Sequence, residues 1–181
     1  MDSNTKVLGG LGSLFIVFGV IPYAGGVLAL VGFVLLAIAL KNFSDSRGRP
    51  QFFSDFVKGI IIYIVGVFVG LIFGVGSILS LSQEQEGIFA YGLMVVAFTI
   101  MYAATVFGSY YMKKVFSEIA LITANGLFDW GGKLLFWGAI LTVVAVGAVV
   151  SWIGWIVLTV AFFTTQENMK EERDGEVKGA S

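Results

Sequence analysis

The stretch that most limits how this chain folds is Val7 to Leu40, thirty-four residues without a charge: VLGGLGSLFIVFGVIPYAGGVLALVGFVLLAIAL. As one helix it would be about 51 Å long at 1.5 Å per residue, against about 30 Å of bilayer hydrocarbon. A single straight crossing does not fit. Pro22 disfavours helix at Ile21, and Gly25 with Gly26 weakens it further, so Pro22 to Gly26 reads as a tight turn between two short helices. The pattern returns near the C-terminus. Shifted by 122 positions without a gap, Gly9, Gly10, Gly25, Gly32, Leu36 and Ala39 fall on Gly131, Gly132, Gly147, Gly154, Leu158 and Ala161. The two segments, 7–40 and 132–164, read as copies of one membrane hairpin framing the protein.

The rest of the chain agrees with a lipid-embedded class: 57% of residues are apolar, 13% are charged, and the mean hydropathy is +0.92, far from the balance of soluble domains. Three further charge-free runs, Gly59 to Gln83, Gly87 to Met112 and Leu134 to Gln166, each exceed the roughly 20 residues a crossing needs. The expected fold class is therefore an all-α integral membrane protein of six transmembrane helices with short loops. It is one membrane domain, 1–165, with spans at 57–82 and 88–113 between the hairpins, followed by a polar tail, 166–181. Lys6 and the apolar run to Ile21 have the outline of a secretory leader. Pro22 falls where cleavage before Gly25 requires a small unhindered residue, so the segment is read as retained.

Met1 to Thr5 reads as a short polar lead. Asn42 to Lys58 reads as the first polar connection, with Gly48 and Pro50 as turn formers and Phe52, Phe53 and Phe56 spaced to lie at a membrane surface. Ser54 is a candidate N-cap for the third helix. Within that helix Gly66, Gly70 and Gly74 recur every fourth residue, a glycine zipper that bares one face for close approach by a neighbouring backbone. Ser77 and Ser80 near its end are expected to bond locally. Gln83 to Gly87 reads as a tight acidic connection. After the fourth span, Lys113, Lys114 and Glu118 sit on an expected helical extension, and Asn125-Gly126 signals a turn.

Six crossings put Lys6, Lys41, Arg47, Arg49, Lys58, Lys113, Lys114, Lys133, Lys170, Arg173 and Lys178 on one side, leaving Glu84 and Glu86 on the other. That segregation follows the positive-inside rule and predicts a multi-pass cell-membrane protein with both termini cytoplasmic. Trp152 and Trp155 then fall just past the outer turn, near the interface Trp prefers.

The chemical inventory is thin. There is no His and no Cys, which removes histidine-ligated haem, thiolate clusters and the usual zinc sites. No cofactor or metal is expected. The formal charge of −1, with only eleven Lys and Arg scattered along the chain, gives no basic face for nucleic acid. Intramembrane ionisable groups, which mark enzymes and ion-coupled transporters, are absent from the spans. The polar groups there are Ser13, Tyr63, Ser77, Tyr91, Thr99, Tyr102, Thr105, Ser109, Thr142, Ser151 and Thr159, suited to hydrogen bonds within and between helices. Asp45, Asp55, Glu118 and Asp129 gather at the basic side and suit salt bridges between connections or a docking face. Glu84 and Glu86 are too few for a cation site. Gly126 to Lys133 fails as a phosphate loop, because Gly132 stands where the Lys belongs.

The opening GGLGSLFIVFGVIPYAGGVLALVGFVLLAIALKNFSD, together with GLFDWGGKLLFWGAILTVV and IGWIVLTVAFF, resembles the mainly archaeal membrane-protein family catalogued as domain of unknown function 996. IPYAGG with the LAL-G-LAIAL pattern is the most specific part, and Gly59 to Met112 matches only as apolar sequence. The resemblance implies a small polytopic protein of prokaryotic membranes and supplies no activity, cofactor or catalytic residue. The residues themselves lead to a non-enzymatic protein whose partners are membrane lipid and other membrane proteins or a second copy of itself. The alternative is a passive pathway or carrier for a small neutral or apolar solute.

Overall fold

The structure, a computed structural model, describes residues 1–82 and 87–166. These residues form six α-helices and no strand: α1 Ser3–Val17, α2 Gly25–Ser46, α3 Gln51–Ser82, α4 Gly87–Thr123, α5 Gly126–Leu141 and α6 Val146–Thr164. Counting the 3₁₀ turns Phe18–Val20 and Thr142–Val144 that prolong α1 and α5, all six are long and apolar enough to cross a membrane. The chain is an all-α membrane protein. Each helix packs on its neighbours in sequence and α6 closes back onto α1, making a ring in which α2 and α3 meet least.

Both short hairpins turn in the same way. In the first, Tyr23 takes the left-handed conformation (φ 67°), and in the second Ala145 does (φ 63°). Gly25 and Gly26 are therefore not turn residues as expected; they open α2. Gly25 is required by proximity, since a Cβ there would lie 2.1 Å from Gly19 O. At the matching point of the second hairpin, a Cβ on Gly147 would lie 2.0 Å from Gly138 O. The turns carry no charge, and their amides pair internally: Ile21, Ala24 and Gly25 donate to the carbonyls of Phe18, Pro22 and Ile21 at 3.0, 2.8 and 2.8 Å, and Ala145 donates to Thr142 at 3.1 Å. Such pairing is what backbone needs where water is scarce.

The helices outrun their expected limits at the basic end. α1 begins at Ser3 with Asp2 as N-cap, so Met1 to Thr5 is not a free lead; Met1 and Thr5 are buried. The connection expected over Asn42 to Lys58 shrinks to residues 47–50, because α2 runs to Ser46 and α3 starts at Gln51 rather than 57. Ser54 consequently lies inside α3 and caps nothing; its amide bonds Pro50 O. Phe52 and Phe56 are not surface aromatics but are fully buried. With Phe43, Phe116, Phe128 and Phe162 they form an aromatic core around which every helix but α6 continues past its charge-free run. Burial of that much ring area, worth roughly 25 cal/mol per Å², explains why helix persists where the sequence turns polar. α4 runs unbroken through Lys113 and Lys114 to Thr123, as the extension required, and Asn125 caps α5, its side chain accepting from Leu127 N at 3.1 Å.

The α3–α4 pair is much the longest, 32 and 37 residues. Tyr102 Oη donates to Ile140 O at 3.1 Å, so the last turn of α5 stands level with Tyr102. The fifteen residues of α4 before it extend about 22 Å further. Over this stretch α4 and the facing part of α3 expose apolar side chains such as Ile72, Val75, Phe89 and Val95. Gly66 and Gly70 do face α4, against Ala104 and Met101. Gly74 does not join them: nothing lies within 4 Å of where its Cβ would be. The connection containing Glu84 and Glu86, and the tail from residue 167, lie outside the described residues.

Candidate functional site

The ring of helices encloses a chamber of about 410 Å³ to which every helix contributes. Its wall is Ile16 from α1, Leu30 and Phe33 from α2, Ile60, Tyr63 and Ile64 from α3, and Thr105, Ser109 and Met112 from α4. Leu135 and Ala139 from α5 and Ser151 and Trp155 from α6 complete it. No wall residue is charged. The volume lies within the 300–1,000 Å³ usual for small-molecule sites.

Close helix contacts position the wall. Gly12 and Gly32 bring α1 and α2 together backbone to backbone, Gly12 within 2.8 Å of Gly32 O if a Cβ is drawn. Gly138 sits against Ser151 and Gly154 against Leu134 and Leu135, doing the same for α5 and α6. Gly108 lies under the ring of Tyr63, which lets Tyr63 reach across and share a hydrogen bond with Ser109. Trp155 meets Phe33 edge-on, ring centroids 5.7 Å apart, and so faces the chamber. Trp152 donates from Nε1 to Val17 O at 3.0 Å, tying α6 to the end of α1. Both tryptophans, expected near an interface, are held by contacts between helices.

Of the four hydroxyls in the wall, three are already engaged. Tyr63 and Ser109 share one hydrogen bond, and Thr105 donates to Met101 O at 2.8 Å. Ser13, Thr99, Thr142 and Thr159 likewise donate to the carbonyl four residues back, the local bonding expected of them. The chamber is thus apolar in effect.

At the basic end, two of the four carboxylates singled out are paired. Asp55 receives Lys114 at 2.7 Å and Lys58 at 3.2 Å. Asp129 receives Lys133 at 2.6 Å and the Ser117 hydroxyl at 2.6 Å. These contacts join α3 to α4 and α4 to α5. Among the described residues no three acids gather where they could hold a metal ion. Because both lysines of the Asp55 pair are half-exposed, water and salt screen it. Asp55→Asn is expected to lower the unfolding midpoint only slightly, by less as salt is raised, which thermal denaturation at two salt concentrations checks.

The family profile described as protein of unknown function (DUF996) matches residues 28–156. An uncharacterized protein of Methanocaldococcus jannaschii is 33% identical over 173 residues, 93% of this chain and 96% of the relative. The chain belongs to the DUF996 family. The profile spans all of α3, α4 and α5, so the DUF996 likeness includes the middle, Gly59 to Met112, and is not confined to the hairpin segments. It covers every chamber-lining residue except Ile16. No solved structure matches the chain.

Sequence reading named Tyr63, Thr105, Ser109 and Ser151 as intramembrane polar groups but had no means of grouping them. The apolar wall, Leu30, Phe33, Met112, Leu135 and Trp155, carried no signal. Its convergence depends on which face each helix turns inward, and near-uniform apolarity hides that.

Proposed function

We propose that this DUF996 protein is a non-enzymatic cell-membrane protein that holds or passes a small, uncharged, mainly apolar molecule in the chamber between its six helices. The observation that carries this reading is the chamber itself: all six helices line it, none with a charge. General acid-base work needs a positioned ionisable group, and the wall offers only hydroxyls, three of them engaged. The eight basic residues within the described chain lie at one end of the bundle, which supports a cytoplasmic position for that end and for both termini. The first and last hairpins are read as copies of one unit. All six glycine, leucine and alanine positions matched by the 122-residue shift are buried in both.

Filling the chamber tests the reading. Ala139 is buried in α5 and faces it, so Ala139→Phe places a ring in the space. Binding of an environment-sensitive apolar fluorophore to the detergent-purified protein is expected to weaken by about tenfold or more, which is about 1.4 kcal/mol. Undiminished binding to a variant with an unchanged circular dichroism spectrum would remove the chamber as the site.

A second reading, action through contacts with other membrane proteins or a second copy, is supported by the α3–α4 arm, whose apolar surface beyond Tyr102 meets no other helix among the described residues. Cross-linking in native membranes tests it; a strictly monomeric, partnerless particle would count against it.

A further inference from the structure

We infer that the chamber opens sideways into the lipid between α2 and α3, and that its occupant is the hydrocarbon chain of a membrane lipid rather than a solute from water. The inference rests on the chamber reading above and names the ligand class for it.

Three observations converge. The first is the opening. α2 and α3 are joined near their polar connection, where Phe43 and Phe52 lie 6.0 Å apart, and elsewhere they form the loosest seam of the ring. Leu30 and Ile64 line the chamber yet are 69% and 62% exposed, so they form its rim as well as its wall. The second is what lies outside the rim. A shallow groove of about 300 Å³ runs along α3 over Tyr63, Ile64, Val67, Phe68 and Leu71. It shares Tyr63 and Ile64 with the chamber, so the two make one apolar track along α3 from Ile60 to Leu71, about 16 Å of helix. The third is what is closed. Toward the basic end the chamber is floored by Met112 and Leu135, beneath which the ring of Phe128 stacks on Phe116 and meets Phe162 edge-on. A water-borne molecule has no polar path through that plug.

The wall chemistry selects the same occupant. A polar solute leaving water loses hydrogen bonds that the wall must replace. Three of the four wall hydroxyls are already in hydrogen bonds, Tyr63 with Ser109 and Thr105 with its own helix, which leaves a polar solute only Ser151 and one O–H of the Tyr63–Ser109 pair. A hydrocarbon chain needs no such replacement, and it is already at hand where the rim meets the bilayer.

The chain has no cysteine, which makes a direct test simple. The double variant Leu30→Cys, Ile64→Cys is reconstituted in vesicles containing a phospholipid with a diazirine near the end of one acyl chain, before and after bridging with a bifunctional thiol reagent. Unbridged, irradiation is expected to label Met112 and Trp155 inside the chamber, read by peptide mass spectrometry. Bridged, that labelling is expected to fall at least severalfold, while labelling of Phe68 and Leu71 on the outer groove persists. Interior labelling that survives bridging would overturn the lateral route. Absence of interior labelling in the unbridged protein, with an apolar fluorophore still binding there from solution, would overturn the lipid occupant and leave the chamber reading standing. Loss of both would sink the two together.

Discussion

Gly147→Ala is expected to break the α5–α6 hairpin. A methyl group at this position would lie 2.0 Å from Gly138 O, 2.2 Å from Thr142 N and 2.4 Å from Leu141 C. All three are backbone atoms of the facing helix and turn, so no rotamer change relieves the clash. Overpacking of this kind typically costs about 1–3 kcal/mol, and backbone clashes fall at or above the upper end. The first hairpin repeats the device, with Gly25 against Gly19 O, and Gly25→Ala should behave alike. Gly26→Ala supplies the control. Nothing lies within 4 Å of its Cβ position, and alanine is the better helix former by about 1 kcal/mol. Equilibrium unfolding in mixed micelles, followed by circular dichroism, should show the first two variants strongly destabilised and the third equal to the parent or better. A Gly147→Ala protein as stable as the parent would mean that the two arms do not approach so closely.

The second large effect is expected at Phe128. Its side chain has 0% exposure, its ring stacks on Phe116 at 6.4 Å and meets Phe162 edge-on at 4.9 Å. It thereby joins α4, α5 and α6 at the basic end. Phe128→Ala removes the ring and leaves a void that rigid helices on three sides cannot collapse into, so a loss of about 3–5 kcal/mol is expected. Phe128→Leu, which keeps most of the volume, should lose much less. The comparison is informative because a hydrophobic contribution of this size requires a core shielded from lipid. A residue facing acyl chains would lose little on truncation, since tails are as apolar as its former neighbours. Equal, small losses for both variants in the same unfolding assay would place the ring against lipid.

Much of the architecture was legible from charge-free length and one proline. Thirty-four uncharged residues around Pro22 required a doubling back, and the 122-residue shift put the same turn at the far end. The element limits were less legible. Phe52 and Phe56, beside Arg49 and Lys58, look like surface aromatics because a linear reading cannot see Phe43 and Phe116 arriving to cover them. Gly25, which reads as a turn residue, instead opens α2 and is needed for close approach, while Tyr23 bears the unusual backbone angle. Gly74 continued a numerical spacing that the crossing of α3 and α4 does not follow, since by that level the glycine face has turned off the seam. The chamber was invisible, because in spans this apolar no periodicity tells an inward leucine from an outward one.

The unequal rods bear on the lipid around the molecule. Above its lysine, α3 offers about 36 Å of uncharged helix, whereas α5 with its turn offers about 16 Å above Lys133. One flank therefore asks for a full-depth bilayer and the other presents a step halfway down. Boundary lipid answers a step by thinning, and the molecule by leaning, each at a fraction of a kcal/mol per Å. A boundary where thick bilayer gives way to thin supplies that shape in advance, so the protein is expected to concentrate at such boundaries over membrane of uniform thickness.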